Sequence, residues 1–175
     1  FSDLSIGKTQ DFKKYLNKYD VIHIDIQWFL ANCEDKNKVV QFITKSVLDE
    51  LREIYPECLV LQEGSLSDAL SRVKNQTGQK FVIIIDEWDC IFREYKQDKE
   101  AQEKYLDFLR DLLKDKGYIH LAYMTGILPV KKYGTHSALN MFDEFSMLNP
   151  GPLGEYVGFT EGEVQALCAV KTKAG

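Results

Sequence analysis

Residues 81–89, FVIIIDEWD, decide how this chain is read: Phe81, Val82, Ile83, Ile84 and Ile85 form an unbroken apolar run that stops at Asp86 and Glu87. An uninterrupted run suits a parallel strand covered on both faces, because a strand with one wet face alternates apolar and polar residues. The expectation is a buried strand with acids at its tip. Ligands of open α/β sheets sit beyond the carboxyl ends of the strands, so the side chains after Ile85 are expected to point at a functional crevice. Two adjacent carboxylates there can divide labour between a hydrated Mg²⁺ and a water nucleophile, which is chemistry suited to a nucleoside triphosphate.

Outward from this stretch, helical and strand patterns alternate. Thr9 is placed to cap a short helix carrying Phe12, Tyr15, Leu16 and Tyr19 on one face. Residues 21–26, VIHIDI, predict a strand with Ile22, Ile24 and Ile26 on one side and His23 and Asp25 on the other, a pattern that fits a sheet edge. Val39, Ile43, Val47, Leu48, Leu51 and Ile54 recur at helical spacing until Pro56 ends the run. Ser65 with Asp68 resembles a capping box for a helix through Val73, and Gly78 turns the chain into the acidic strand. Polar residues 94–104 open another helix carrying Tyr105, Leu109 and Leu113 and closed by Gly117, and YIHLAYMTG at 118–126 predicts a second buried strand. Residues 136–145 are expected to be helical, NPGPLG at 149–154 is a break, and Thr160 caps a last helix through Leu167. Strands separated by helices imply crossover connections, hence an α/β fold with a mostly parallel sheet.

Composition narrows the function. The 175 residues are one domain's worth, and 45% hydrophobic with 28% charged content describes an ordinary globular protein. With 22 basic and 27 acidic residues the net charge is −5, so no electrostatic case exists for a nucleic-acid or anionic-membrane surface. Cys33, Cys58, Cys90 and Cys168 form no CxxC pair, which argues against a zinc knuckle or a disulfide framework and for reduced thiols in a cytoplasm. No apolar stretch reaches membrane-spanning length. The chain begins at Phe1, so it is expected to be an excerpt of a longer protein.

The two strands can bring Asp86 and Thr125 to one rim, since the segment between them is long enough for a crossover helix and a return strand. Thr125 is then placed to hydrogen-bond a γ-phosphate or the attacking water, Glu87 to take the water's proton, and Gly126 to let the backbone leave the strand tightly. Plainer readings stand beside these. Asp86 and Glu87 can simply cap the next segment, and His23 and Asp25 can be polar residues on an exposed edge. His120 is expected to be a hydrogen-bonded core histidine, and His136 to start a helix. Trp88, Phe92 and Tyr95 either stack on an adenine or pack onto the core, with packing favoured. Asp89 supports a turn or reaches a metal's second shell, and Arg93 is solvated or touches a phosphate. Lys131 and Lys132 are a small basic spot that does not amount to a nucleic-acid site.

FVIIIDEWD, DVIHIDIQWF at 20–29, YMTGILPVKKYG at 123–134 and SALNMFDEFSMLNPGPLGEYVGFTEGEV at 137–164 together resemble the bacterial AAA-ATPase-like family, whose members often carry a restriction-endonuclease-like domain further on. The resemblance implies a P-loop fold of the additional-strand type with FVIIIDE as the Walker B strand, ATP and Mg²⁺ as cofactors, Asp86 holding Mg²⁺ through water, Glu87 as catalytic base and Thr125 at the first sensor position. It implies a partial ATPase core over 1–159 and the start of a helical lid or following domain at 160–175.

One departure from that family is its Walker A loop, G-x-x-x-x-G-K-[ST]. Gly7, Lys8 and Thr9 imitate only its end: Ser2 stands where the first glycine belongs and no strand fits before it. The loop is expected upstream, and these residues alone are expected to turn over little or no ATP. A sheet lacking the loop's strand exposes an apolar edge beside Thr125, so the excerpt is expected to be supported by an upstream piece, dimerised as a homo-oligomer, or rearranged. The reading is an ATP-binding and hydrolysing module that serves as a switch or motor for an attached, possibly nuclease-like domain. Alternatives are a non-catalytic scaffold that kept the fold, and a metal-dependent hydrolase using Asp86, Glu87 and Asp25.

Overall fold

The computed structural model describes residues 3–59, 64–130, 139–154 and 158–173. Among them the chain is α/β, with a three-stranded, all-parallel sheet and seven α-helices. Two compact units are distinguished, Phe1–Met141 and Phe142–Gly175.

The first unit holds the sheet. Strands β1 (Asp20–Asp25), β2 (Phe81–Asp86) and β3 (Ile119–Met124) lie in the order β1-β2-β3, so β2 is central. Asp25 is in register with Asp86, and Ile85 with Met124, which brings the carboxyl ends to one rim. Parallel neighbours cannot be joined by a tight turn, so each connection crosses over through helices. After a single turn α1 (Phe12–Tyr15), α2 (Ile26–Asn32), α3 (Val39–Ile54) and α4 (Leu66–Thr77) lead from β1 to β2. Then α5 (Cys90–Glu94) and α6 (Lys99–Leu113) lead to β3.

Local chemistry sets these boundaries. In α4 the Ser65 hydroxyl accepts the Asp68 N–H at 3.2 Å, and Gly78 closes the helix at φ +77°, where a side chain is penalised. In α6 the Asp98 carboxylate accepts the Ala101 N–H at 3.0 Å. Helices α3, α4 and α6 pack on one another, and Ile43, Leu70, Val73 and Leu109 lose all contact with solvent. Tyr55, just past α3, meets Phe81 edge-on at 6.3 Å between ring centroids and donates its hydroxyl to Asp20. Burial first, and Asp20 second, push the Tyr55 hydroxyl above its ordinary range, so it stays a donor.

Among the described residues the sheet is covered on one face only. Ile22, Ile24, Phe81, Ile83 and Ile85 are buried, whereas on the other face Val21 is 57%, Leu121 53% and Tyr123 45% exposed, with Val82 and Ile84 half-buried between them. The expectations of a β2 covered on both faces and a buried β3 are thereby corrected. Val82 and Ile84 are apolar because flanking strands shield them laterally, and an apolar run does not separate that from cover above. His120 is not a core residue: it is the extra residue where the register shifts between Phe81 and Val82, and its exposed ring stacks on Tyr19 at 3.8 Å and 13°.

Other departures are local. The Thr9 hydroxyl donates backwards to the Ile6 carbonyl at 2.8 Å instead of capping a helix, and α1 ends at Tyr15 because Asn17 is left-handed at φ +54°. The Asp25 carboxylate accepts the Trp28 N–H at 2.9 Å, turning the expected last strand residue, Ile26, into the first of α2. Residues 139–145 are not helical, in keeping with the weak helix formers Asn140 and Asp143, while Lys131, Lys132 and His136 lie outside the described residues.

In the second unit Ser146 and Asn149 exchange backbone hydrogen bonds at 3.1 and 3.0 Å, and Gly151–Leu153 forms a 3₁₀ turn. The helix Glu161–Lys173 runs beyond Leu167 and opens on a capping box, with Glu163 accepting the Thr160 N–H at 2.7 Å and Thr160 accepting the Glu163 N–H at 3.4 Å. Among the described residues no helix is long and apolar enough to cross a membrane.

Because only one face is buried, substitutions on the two faces should differ. Ile83→Ala is expected to lower the unfolding free energy by about 2–5 kcal/mol. Val21→Ala should cost under about 1 kcal/mol, within the range of exposed positions. Urea denaturation of both variants checks the contrast.

Candidate functional site

The rim where β2 and β3 end carries a closed set of bonds. Past the last paired strand residues, the Thr125 N–H donates to the Ile85 carbonyl at 2.9 Å and the Thr125 carbonyl accepts the Trp88 N–H at 3.0 Å. The Thr125 hydroxyl donates to Asp86 Oδ1. The Glu87 N–H approaches both Asp86 Oδ1, at 3.1 Å, and Thr125 Oγ1, at 3.3 Å. Asp86, Glu87 and Thr125, widely separated or merely adjacent in sequence, thus share one half-buried cluster. The hydroxyl proton is held by Asp86, so an anion arriving at the rim must compete with that carboxylate for it. Among the described residues Asp86 Oδ2 accepts no hydrogen bond, which leaves one oxygen suited to a water of a hydrated cation.

Glu87 adopts φ +52°, a left-handed conformation that costs a side-chain-bearing residue about 1–2 kcal/mol. The turn that follows begins α5, and the Glu87 carboxylate pairs with the Arg93 guanidinium. Arg93 also forms an ion pair with Asp89, Nε to Oδ2 at 3.0 Å. Asp89 has no solvent exposure, and the same Oδ2 accepts the N–H groups of Ile127 at 3.3 Å and Leu128 at 2.9 Å. A buried carboxylate is tolerated only when charge and donors surround it, and here both are supplied. Asp89 Oδ1, Arg93 Nε and the Tyr105 hydroxyl are buried without hydrogen-bond partners among the described residues, so the contact of Arg93 with Asp89 is an ion pair without a hydrogen bond, and the Tyr105 hydroxyl is pushed well above its ordinary range by burial first and Asp89 second.

Several sequence alternatives are decided by packing. Asp89 supports the turn, as read, and additionally ties it to the segment after β3. Arg93 is paired rather than free, its side chain 30% exposed and held between two acids. Trp88 and Phe92 are buried, with ring centroids 5.5 Å apart, and Phe92 leads on to Tyr105 at 6.2 Å, so both belong to the core. The Cys90 thiol donates to Glu94 at 3.2 Å and is pushed up to about 12, chiefly by burial, which makes it an unreactive structural group. Asp25 commits an oxygen to the start of α2, and among the described residues no group of three His, Cys, Asp or Glu is arranged to hold a metal ion. The sequence reading passed over the Arg93 bridge; its signal was the i, i+4 spacing of Asp89 and Arg93 on one helix turn.

Gly126 explains how tightly the strand end is held. A Cβ there would stand 2.5 Å from Trp88 Cδ1 and 2.6 Å from Asp89 Oδ1, both on buried side chains that cannot swing aside. Gly126→Ala is expected to cost about 1–3 kcal/mol, read as a lowered thermal midpoint. A family model described as predicted AAA-ATPase matches residues 1–135. No curated protein and no solved structure gives a significant match. With a parallel α/β core, an acid-tipped central strand and a family match over most of its length, the chain belongs to the predicted AAA-ATPase-like family.

Proposed function

We propose that these residues form the acid-bearing part of an ATP-binding and hydrolysing module, cytoplasmic and acting as a switch or motor for an attached domain. The family implies nucleotide and Mg²⁺ use in general. The observation that carries the reading for this chain is the meeting of Asp86, Glu87 and Thr125 at the carboxyl ends of two adjacent parallel strands. In this reading Asp86, through the oxygen left without a hydrogen bond among the described residues, would hold a hydrated Mg²⁺, which would supply charge neutralisation on the phosphates. Thr125 donates its hydroxyl to the terminal phosphate or the attacking water, and Glu87 accepts the proton of that water. Their mutual bonds hold the three groups in place before the ligand arrives.

The phosphate cradle is assigned to polypeptide outside these residues. Ser5–Lys8 form a 3₁₀ turn with the Thr9 hydroxyl bonded back to Ile6, which supports rejecting IGKT as a phosphate loop. The exposed Leu121 and Tyr123 support a further strand and covering layer beside β3, because parallel sheets are ordinarily buried on both faces. Residues 160–175 are read as the beginning of a helical lid.

In the whole protein, Glu87→Gln is expected to leave Mg·ATP affinity within a few-fold and to lower hydrolysis by about 10²–10⁴-fold. Calorimetry and phosphate release measure the two. Unchanged hydrolysis would remove Glu87 as base, and absence of nucleotide binding by the unsubstituted protein would favour a scaffold that kept the fold without the chemistry.

A further inference from the structure

We propose that Asp89 and Arg93 are positioning residues for this site, forming a strut that fixes the Glu87 carboxylate and the strand end bearing Thr125 in one frame. The proposal rests on the reading of Glu87 as base. The path is continuous: Glu87 to the Arg93 guanidinium, Arg93 to Asp89, and Asp89 to the N–H groups of Ile127 and Leu128. It closes on the other side through Gly126, packed against Trp88 and Asp89, and through the bond from the Glu87 N–H to Thr125.

Two features argue for more than local packing. Asp89 is fully buried, and an ion in that position adds little net stability over an apolar side chain of similar size, so its presence calls for another reason. Its donors are the two consecutive N–H groups that follow the Thr125-Gly126 step, and its counter-ion is the group bound to Glu87. One carboxylate therefore sets the path of the chain leaving β3 and, through Arg93, the direction of the proton acceptor. The guanidinium suits this task because it reaches two acids at once, with a terminal nitrogen hydrogen-bonded to Glu87 and Nε held 3.0 Å from Asp89 by charge without a hydrogen bond. Glu87 keeps its second carboxylate oxygen for the water, with the first held by Arg93. Displacing a catalytic group by about 1 Å is enough to lose about 100-fold in rate.

The test uses the whole protein with Mg·ATP. Arg93→Gln is expected to lower kcat about 10- to 100-fold, the range for supporting partners of a functional group, with nucleotide affinity retained and partial recovery in Arg93→Lys. Asp89→Asn, which keeps the shape and avoids the unfolding expected of an alanine, should lower kcat likewise and speed amide exchange at Ile127 and Leu128. Adding Arg93→Gln to Glu87→Gln should cost much less than Arg93→Gln costs alone, because Arg93 acts mainly through Glu87; a generally weakened fold would give an additive loss. Unchanged or raised turnover in Arg93→Gln, unaltered exchange in Asp89→Asn, or additive losses would each overturn the strut while the unsubstituted protein still hydrolyses ATP. An unsubstituted protein that fails to hydrolyse ATP overturns the base reading itself, and the positioning role with it.

Discussion

Parallel pairing of β1, β2 and β3 is the constraint from which the rest of this molecule follows. It forces every connection to travel the length of the sheet and return, so helices occupy the crossovers and all three strands end at one rim. The rim collects side chains that are remote in sequence: Asp86 and Thr125 become partners because Ile85 and Met124 are in register. Had the strands been antiparallel, the same residues would have stood at opposite ends of the sheet.

Where the chain could be read in advance, the cause was a signal contained within one element. The stripe of α3 closed by Pro56, the Ser65 cap and Gly78 stop of α4, and the Thr160 cap of the last helix all act over a few residues, and their positions could be read directly. The juxtaposition of Asp86 with Thr125 was also legible, since crossover topology leaves few other arrangements. What escaped depends on neighbours. The five apolar residues of β2 record shielding by flanking strands as much as cover from above, so the open face beside Leu121 and Tyr123 left no mark in the pattern. Ile26 looked like a strand residue because the capping bond from Trp28 to Asp25 that turns the chain there leaves no mark in the alternation.

The same distinction separates the acids of FVIIIDEWD. Asp86 and Glu87 announce themselves by interrupting an apolar run. Asp89 reads as an ordinary turn residue, and its burial is set by the segment 126–128 arriving from far along the chain. Arg93 owes its place to both acids at once. Such bridging cations are hard to find in a single sequence, because the i, i+4 spacing from Asp89 points to one partner and says nothing of the second acid, Glu87.

The left-handed backbone at Glu87 screens the residues that position 87 can accept before any chemistry is considered. Valine, isoleucine and threonine would be turned away by their branched Cβ alone. Glycine, asparagine and aspartate would suit the backbone, yet they shorten or abolish the reach toward Arg93. Few residue types satisfy both the turn and the cation, and the steric filter would persist even in a version of this fold that no longer needed an acid.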